Sequence, residues 1–236
     1  MPGYVIHLVH GEIILRQGTF HFSEIEKEQF RMGLLMPDVS QTEPQKKDKA
    51  HFISFDSRGK ILEYPDLDLF PYKDKLSQPF VIGYVAHLFL DRAFYSDYFI
   101  RYVHFLDADG KETDSEAEAE RAYLVTSDSF VSVKELFSEK YLYGDYTKLN
   151  YYFINKYDLN IPDNVFCEHP VAEVWDGDFS LIQKDLKMYL NTFCGDTHTK
   201  VFTAESIETA IQTYAVGFLD WLAKSEKRAN SEKRGF

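Results

Sequence analysis

The chain has 236 residues, 44% apolar and 16% aromatic, with 26 basic against 38 acidic residues and a formal net charge of −12. That length fills one sizeable domain, and no break in composition asks for two. The acidic balance argues against a nonspecific binder of nucleic-acid backbones and against electrostatic attachment to anionic membranes.

The opening stretch MPGYVIHLVHGEIIL carries His7 and His10 but neither a basic n-region nor a small-residue cleavage site, so no secretory leader is expected and the reading is a cytoplasmic protein. In SEIEKEQF, Ser23 with Glu26 three residues on is a capping-box signature, predicting a helix to about Met32. GLLMPDVSQ follows. Pro37 biases Met36 away from helix, which sets Asp38 at a helix-to-loop junction where a carboxylate can turn inward. AHFISFDSRGKILEYP holds His51 and alternates weakly, as a strand or an ordered loop.

Residues 77–106 read as the longest helix, with Ser77 as its cap and Pro79 in its first turn. Within it, GYVAHLFLDRAF sets His87 and Asp91 one helical turn apart on one face. That face is otherwise apolar. A buried polar group without a partner costs about 1–3 kcal/mol, and a charge more, so the pair is either a self-satisfied His–Asp hydrogen bond or two metal ligands on one turn. His87, Asp91 and Arg92 also interrupt the longest apolar window, so no transmembrane segment is expected.

Residues 107–120 read as a solvated acidic connector. SDSFVSVKELFSEKYL and DYTKLNYYFINKY read as two helices broken at Gly144, with Asp145 at the start of the second as its cap, a metal ligand or a support for one. LNIPDNVFCEHPV is a loop, GDFSLIQKDLKMYLNTF and TAESIETAIQTYAVGFLDWLAKSEKR are the last two helices, and 228–236 is a frayed charged tail. Cys167 and Cys194 have neither disulfide-framework nor zinc-knuckle spacing. The predicted fold is mainly α, a single-domain helix bundle over 1–236.

The order of the candidate ligands carries more than any one of them. A histidine near the start, then PD, then a histidine in a loop, then His-x-x-x-Asp on a long helix resembles the zinc-dependent phospholipase C superfamily, which includes the single-strand-specific zinc nucleases. The likeness covers roughly residues 1–100. It implies an all-α bundle with a metal-site cleft that hydrolyses phosphate esters. Carried onto this chain, it implies one zinc held by Asp38, His51, His87 and Asp91, and a second that takes His7 and shares Asp91. Two imidazoles and two carboxylates suit such a borderline cation. The nucleophile would be zinc-bound hydroxide, the metal lowering the pKa of water from about 16 to about 7, with Asp38 or Asp91 orienting it or receiving a proton. The family's further metal has no counterpart in this pattern: position 97 is Asp97 rather than His, and the pair His169 and Glu173 lies far downstream around Pro170.

The substrate stays open among phospholipid, nucleotide and small phosphoester, and the oligomeric state is not legible. Two other readings stand beside this one. An HD-type phosphohydrolase is also all-α and metal-dependent, but no His-Asp dipeptide occurs. A metal-stabilised helical module that binds a partner without catalysis would close its metal with four protein ligands, where a catalytic site keeps an open position.

Overall fold

The computed structural model describes residues 3–40, 44–165, 167–195 and 198–234. Helix α1 (Tyr4–Gln17) is apolar around most of its circumference and buried along most of its length, as suits a central helix. Helix α2 (Glu24–Leu35) opens on the predicted capping box: the Ser23 hydroxyl accepts from the Glu26 N–H, and the Glu26 carboxylate accepts from the Ser23 N–H at 2.8 Å. It runs to Leu35 rather than Met32, and Pro37 then lies in a 3₁₀ turn, Met36–Ser40, that carries Asp38. Helix α3 (Pro44–Ala50) delivers His51 from its C-terminal end, where a loop was expected.

Helix α4 (Pro79–Ala93) starts with Pro79 in its first turn and Gln78, not Ser77, as its cap. The helix predicted to reach residue 106 ends early. A π turn (Phe94–Tyr98) and a 3₁₀ turn (Phe99–Arg101) follow, and strand β1 (Val103–Leu106) replaces the last stretch. β1 pairs antiparallel with β2 (Arg121–Leu124), and β2 with β3 (Ser129–Ser132), in the register Val103↔Leu124 and Ala122↔Val131. Short apolar runs do not distinguish helix from strand by spacing alone, and here cross-strand pairing decided. For the same reason the helix predicted over SDSFVSVKELFSEKYL divides into β3 and a one-turn α5 (Val133–Leu136) capped by Ser132. The acidic connector 107–120 is the loop joining β1 to β2.

Helix α6 (Leu142–Tyr157) passes through Gly144 without a break. Glycine serves close approach there, since a Cβ would fall 2.1 Å from the Glu139 carbonyl oxygen. Residues 159–171 are irregular as expected, Phe166 lying outside the described residues. Asp178 caps α7 (Phe179–Leu190), and the Thr203 hydroxyl accepts from Ser206 N–H at the start of α8 (Ala204–Arg234), whose backbone stays helical to Arg234. The molecule is thus mainly helical with one small sheet. Among the described residues, no helix is long and apolar enough to cross a membrane.

One contact positions the site. A Cβ on Gly33 of α2 would lie 2.0 Å from the Phe80 carbonyl oxygen, and one on Gly83 of α4 would lie 2.0 Å from that of Phe30. The two backbones touch at this pair of glycines, which fixes the rotation of α4 about its axis. His87, one turn beyond Gly83, consequently faces the C-terminal end of α2.

Candidate metal centre

His7, Asp38, His51, His87 and Asp91 come from α1, the 3₁₀ turn, the end of α3, and α4, and all five are at most 1% exposed. Their functional atoms converge. His51 Nε2 lies 3.2 Å from His87 Nε2, 3.4 Å from Asp38 Oδ1 and 3.5 Å from Asp91 Oδ2, and His87 Nε2 lies 3.4 Å from Asp91 Oδ2. The other Asp91 oxygen faces His7 Nε2 at 3.3 Å. All five side chains fall in one buried cluster, but as two groups of three that share His87, Asp38–His51–His87 and His7–His87–Asp91, each with the composition and spacing to hold a metal ion; Asp38 and Asp91, expected on one ion, fall in different groups.

The hydrogen bonds behind the imidazoles assign their tautomers. His87 Nδ1 is 2.8 Å from the Leu34 carbonyl oxygen and His51 Nδ1 is 2.9 Å from that of Lys47. A carbonyl only accepts, so both Nδ1 atoms carry protons, and in the neutral rings both Nε2 lone pairs point into the cluster. Neither Asp38 nor Asp91 has a hydrogen-bond donor on either oxygen. Burial opposes ionisation of these two carboxyls, yet the imidazoles hold both below the usual range: His51 and His87 beside Asp38, and His87 and His7 beside Asp91. Those shifts belong to the state in which the imidazoles are protonated and donate; with both Nε2 atoms unprotonated, two carboxyl groups and two imidazole lone pairs meet as acceptors with no donor among the four.

Protons fill this gap poorly. Protonating both Nε2 atoms would set two N–H groups head to head at 3.2 Å. Protonating one balances one carboxylate and leaves the other to His7, whose Nε2 lies 3.3 Å from Asp91 Oδ1; without that second proton a buried charge stays uncompensated, at several kcal/mol in a dry interior. A divalent cation would be balanced by the two carboxylates. The four separations given above, 3.2–3.5 Å, are close to the roughly 3.3–3.4 Å that ligand bonds of about 2.0–2.1 Å produce around a tetrahedral centre, while Asp38 and Asp91 stand in different groups of three.

A second ion is less well provided for. His87 has one lone pair left, which the first set uses, so His7 and the outer Asp91 oxygen would be its only undivided donors. The His7 ring stacks on His87 with centroids 3.7 Å apart and planes 7° from parallel, which holds both rings in register.

The other polar candidates lie elsewhere. Asp145 is buried, but its Oδ2 accepts from the Lys200 N–H at 2.8 Å and the Val201 N–H at 2.6 Å, and it belongs to neither converging group. His10 packs edge-on against Phe218, and burial, helped by the neighbouring His7, pushes its pKa down to about 3, so its ring is neutral. Asp97 binds Arg101 and Tyr214, His104 binds Glu112, and His169 stacks on Phe80.

Sequence reasoning named none of the supporting atoms. The Leu34 and Lys47 carbonyls are backbone and leave no signal in residue type. Tyr95 was findable, because it continues the four-residue spacing of His87 and Asp91 by one more turn. It lines a cavity of about 350 Å³ whose wall also includes His51, Asp91, Lys47 and Lys60, so the cluster borders open space on that side.

No family model matches this chain, and neither a curated protein nor a solved structure does.

Proposed function

We propose that the protein is a metal-dependent hydrolase of phosphate esters, with zinc as the cation. The observation that carries the reading is the burial together of two carboxyl groups and two imidazoles, Asp38, His51, His87 and Asp91, whose facing atoms are 3.2–3.5 Å apart in four pairs and whose carboxyl oxygens have no hydrogen-bond partner. The order of these ligands along the chain, and its resemblance to the zinc-dependent phospholipase C superfamily, supports the same reaction class. The cation supplies Lewis acidity, activating water and offsetting charge on a phosphoryl oxygen.

The chain's own residues do the rest. The Leu34 and Lys47 carbonyls hold His87 and His51 in the liganding tautomer. Asp91 spans the cluster, one oxygen toward His51 and His87 and the other toward His7, and so stands where it can receive a proton from an attacking water. Lys47 lines the adjoining cavity and brings positive charge to a substrate phosphate; Lys60 lines it too but is paired with Asp114.

The near-complete burial of the five side chains favours a second reading, a metal-stabilised module that binds a partner and catalyses nothing. One experiment separates the two. Protein purified without added metal or chelator is analysed for zinc, then assayed for release of phosphate from a panel of mono- and diesters. About one zinc per chain with turnover, both lost in Asp91→Asn, is the expected result. Zinc without turnover supports the module, and the absence of zinc with no stabilisation on adding it overturns both.

A further inference from the structure

The cavity beside the cluster does not stand alone. A second cavity of about 600 Å³ borders it along Lys60, Ile61, Leu62 and Tyr95. The far walls of this larger space are Tyr64, Ile100 and Phe105, with Glu112, Thr113 and Asp114 along an edge. Its size falls within the range of small-molecule sites, about 300–1,000 Å³.

The two spaces differ in chemistry. Around the smaller one, the liganding atoms and Lys47 suit a phosphate. In the larger one, rings of Tyr64, Tyr95 and Phe105 offer faces and edges to a planar aromatic group. The acids lining it are already paired, Glu112 with His104 at 3.0 Å and Asp114 with Lys60. They argue against a second phosphate. Among the described residues, Lys60 is the one lysine or arginine lining the larger cavity, and its Nζ is 2.9 Å from Asp114 Oδ2. Asp48, Glu63 and Glu116 add negative charge around the smaller one. A polyanion would meet this rim unfavourably, whereas one phosphate has the cluster and Lys47 beside it.

We infer that the substrate is a monophosphate ester of a planar aromatic group, with its phosphate at the His51–Asp91 cavity and its ring in the cavity walled by Tyr64, Tyr95 and Phe105. This rests on the phosphate-ester reading above and adds to it the organic half of the molecule. Tyr95, touching both spaces, is the junction.

The test uses binding, not turnover, so that its outcome does not depend on catalysis. Zinc-loaded protein is titrated calorimetrically with phenylphosphonate, hexylphosphonate and methylphosphonate, which share the phosphate-like head and carry a P–C bond that is not hydrolysed. Phenylphosphonate is expected to bind about tenfold or more tighter than methylphosphonate, from the apolar area it buries, and tighter than hexylphosphonate. Ser96→Trp, at an exposed residue of the larger cavity's wall, should reduce the preference for phenyl to less than about threefold while leaving methylphosphonate binding unchanged. Ile100 is 50% exposed, and Ile100→Ala provides a second variant that removes wall instead of filling space, with the same direction expected and a smaller size. Equal binding of phenyl- and methylphosphonate overturns the inference and leaves the phosphate site standing. Hexylphosphonate binding as tightly as phenylphosphonate overturns it in favour of an alkyl chain. No binding of methylphosphonate at all removes the phosphate reading beneath it.

Discussion

Two places in the interior bury aspartate, and they do so in opposite ways. Asp145 on α6 is 2% exposed, and its carboxylate takes two backbone N–H groups from Lys200 and Val201. Asp38 and Asp91 are each 1% exposed and have no donor on any of their four oxygens. The first is a structural carboxylate whose lone pairs stitch α6 to the segment entering α8. The second pair is incomplete as protein alone. Burial of an acid is therefore no sign of function; the donor complement around it is.

The contrast is sharpest when the metal is removed. A cation present at about a thousandfold over its Kd stabilises by about 4 kcal/mol, worth roughly 8–16 °C in a chain of this size. Chelation of the purified protein should lower the thermal midpoint by that amount, and Asp91→Asn should already lie at the lower value and not respond to chelator. Asp145→Asn should respond as the wild type does. An Asp91→Asn protein that still responds to chelator would mean that the wrong aspartates have been contrasted.

The next effect probes how the incomplete site is held together. Gly83→Ala drives a methyl group onto the Phe30 carbonyl and separates α4 from α2. Overpacking of this kind costs about 1–3 kcal/mol, measured by denaturant unfolding. It also draws His87 away from the Leu34 carbonyl, so zinc affinity should fall about tenfold or more. Unchanged zinc affinity in a folded Gly83→Ala protein would show that the glycine contact does not aim the histidine.

The smallest effect belongs to the satisfied aspartate. Both N–H groups reach the same Asp145 oxygen, which asparagine retains, so Asp145→Asn should cost only about 1 kcal/mol and leave zinc content unchanged. Burial outweighs the two donors and raises the Asp145 carboxyl above its ordinary 3.8. A folded pKa above the unfolded one means the folded state binds more protons in that window, so this group's contribution to stability declines as pH rises from about 4 through the raised value. The Asn variant should flatten that part of the stability–pH curve.

Much of the centre was legible because its signals are local. The four-residue spacing of His87 and Asp91, the Ser23–Glu26 capping box and the Pro37 junction before Asp38 each act within one helical turn. The sheet was not legible: Val103–Leu106 continues an apolar helical spacing and becomes a strand only through pairing with Arg121–Leu124. Gly144 looked like a helix breaker and is instead a helical residue at a tight backbone contact. The matched glycines of FRMGLL and VIGYV lie too far apart in the chain for either to announce the other.

The sequence by itself determined which side chains were available as ligands and on which helical turns they stood, since residue type and turn geometry are local properties. Only the tertiary structure decided that five of them would meet, that the Leu34 and Lys47 carbonyls would turn two imidazole lone pairs inward, and that two carboxylates would be left without donors. The physical reason is that a buried group's hydrogen-bond partners are mostly backbone atoms brought in from distant parts of the chain, and these carry no residue-specific mark.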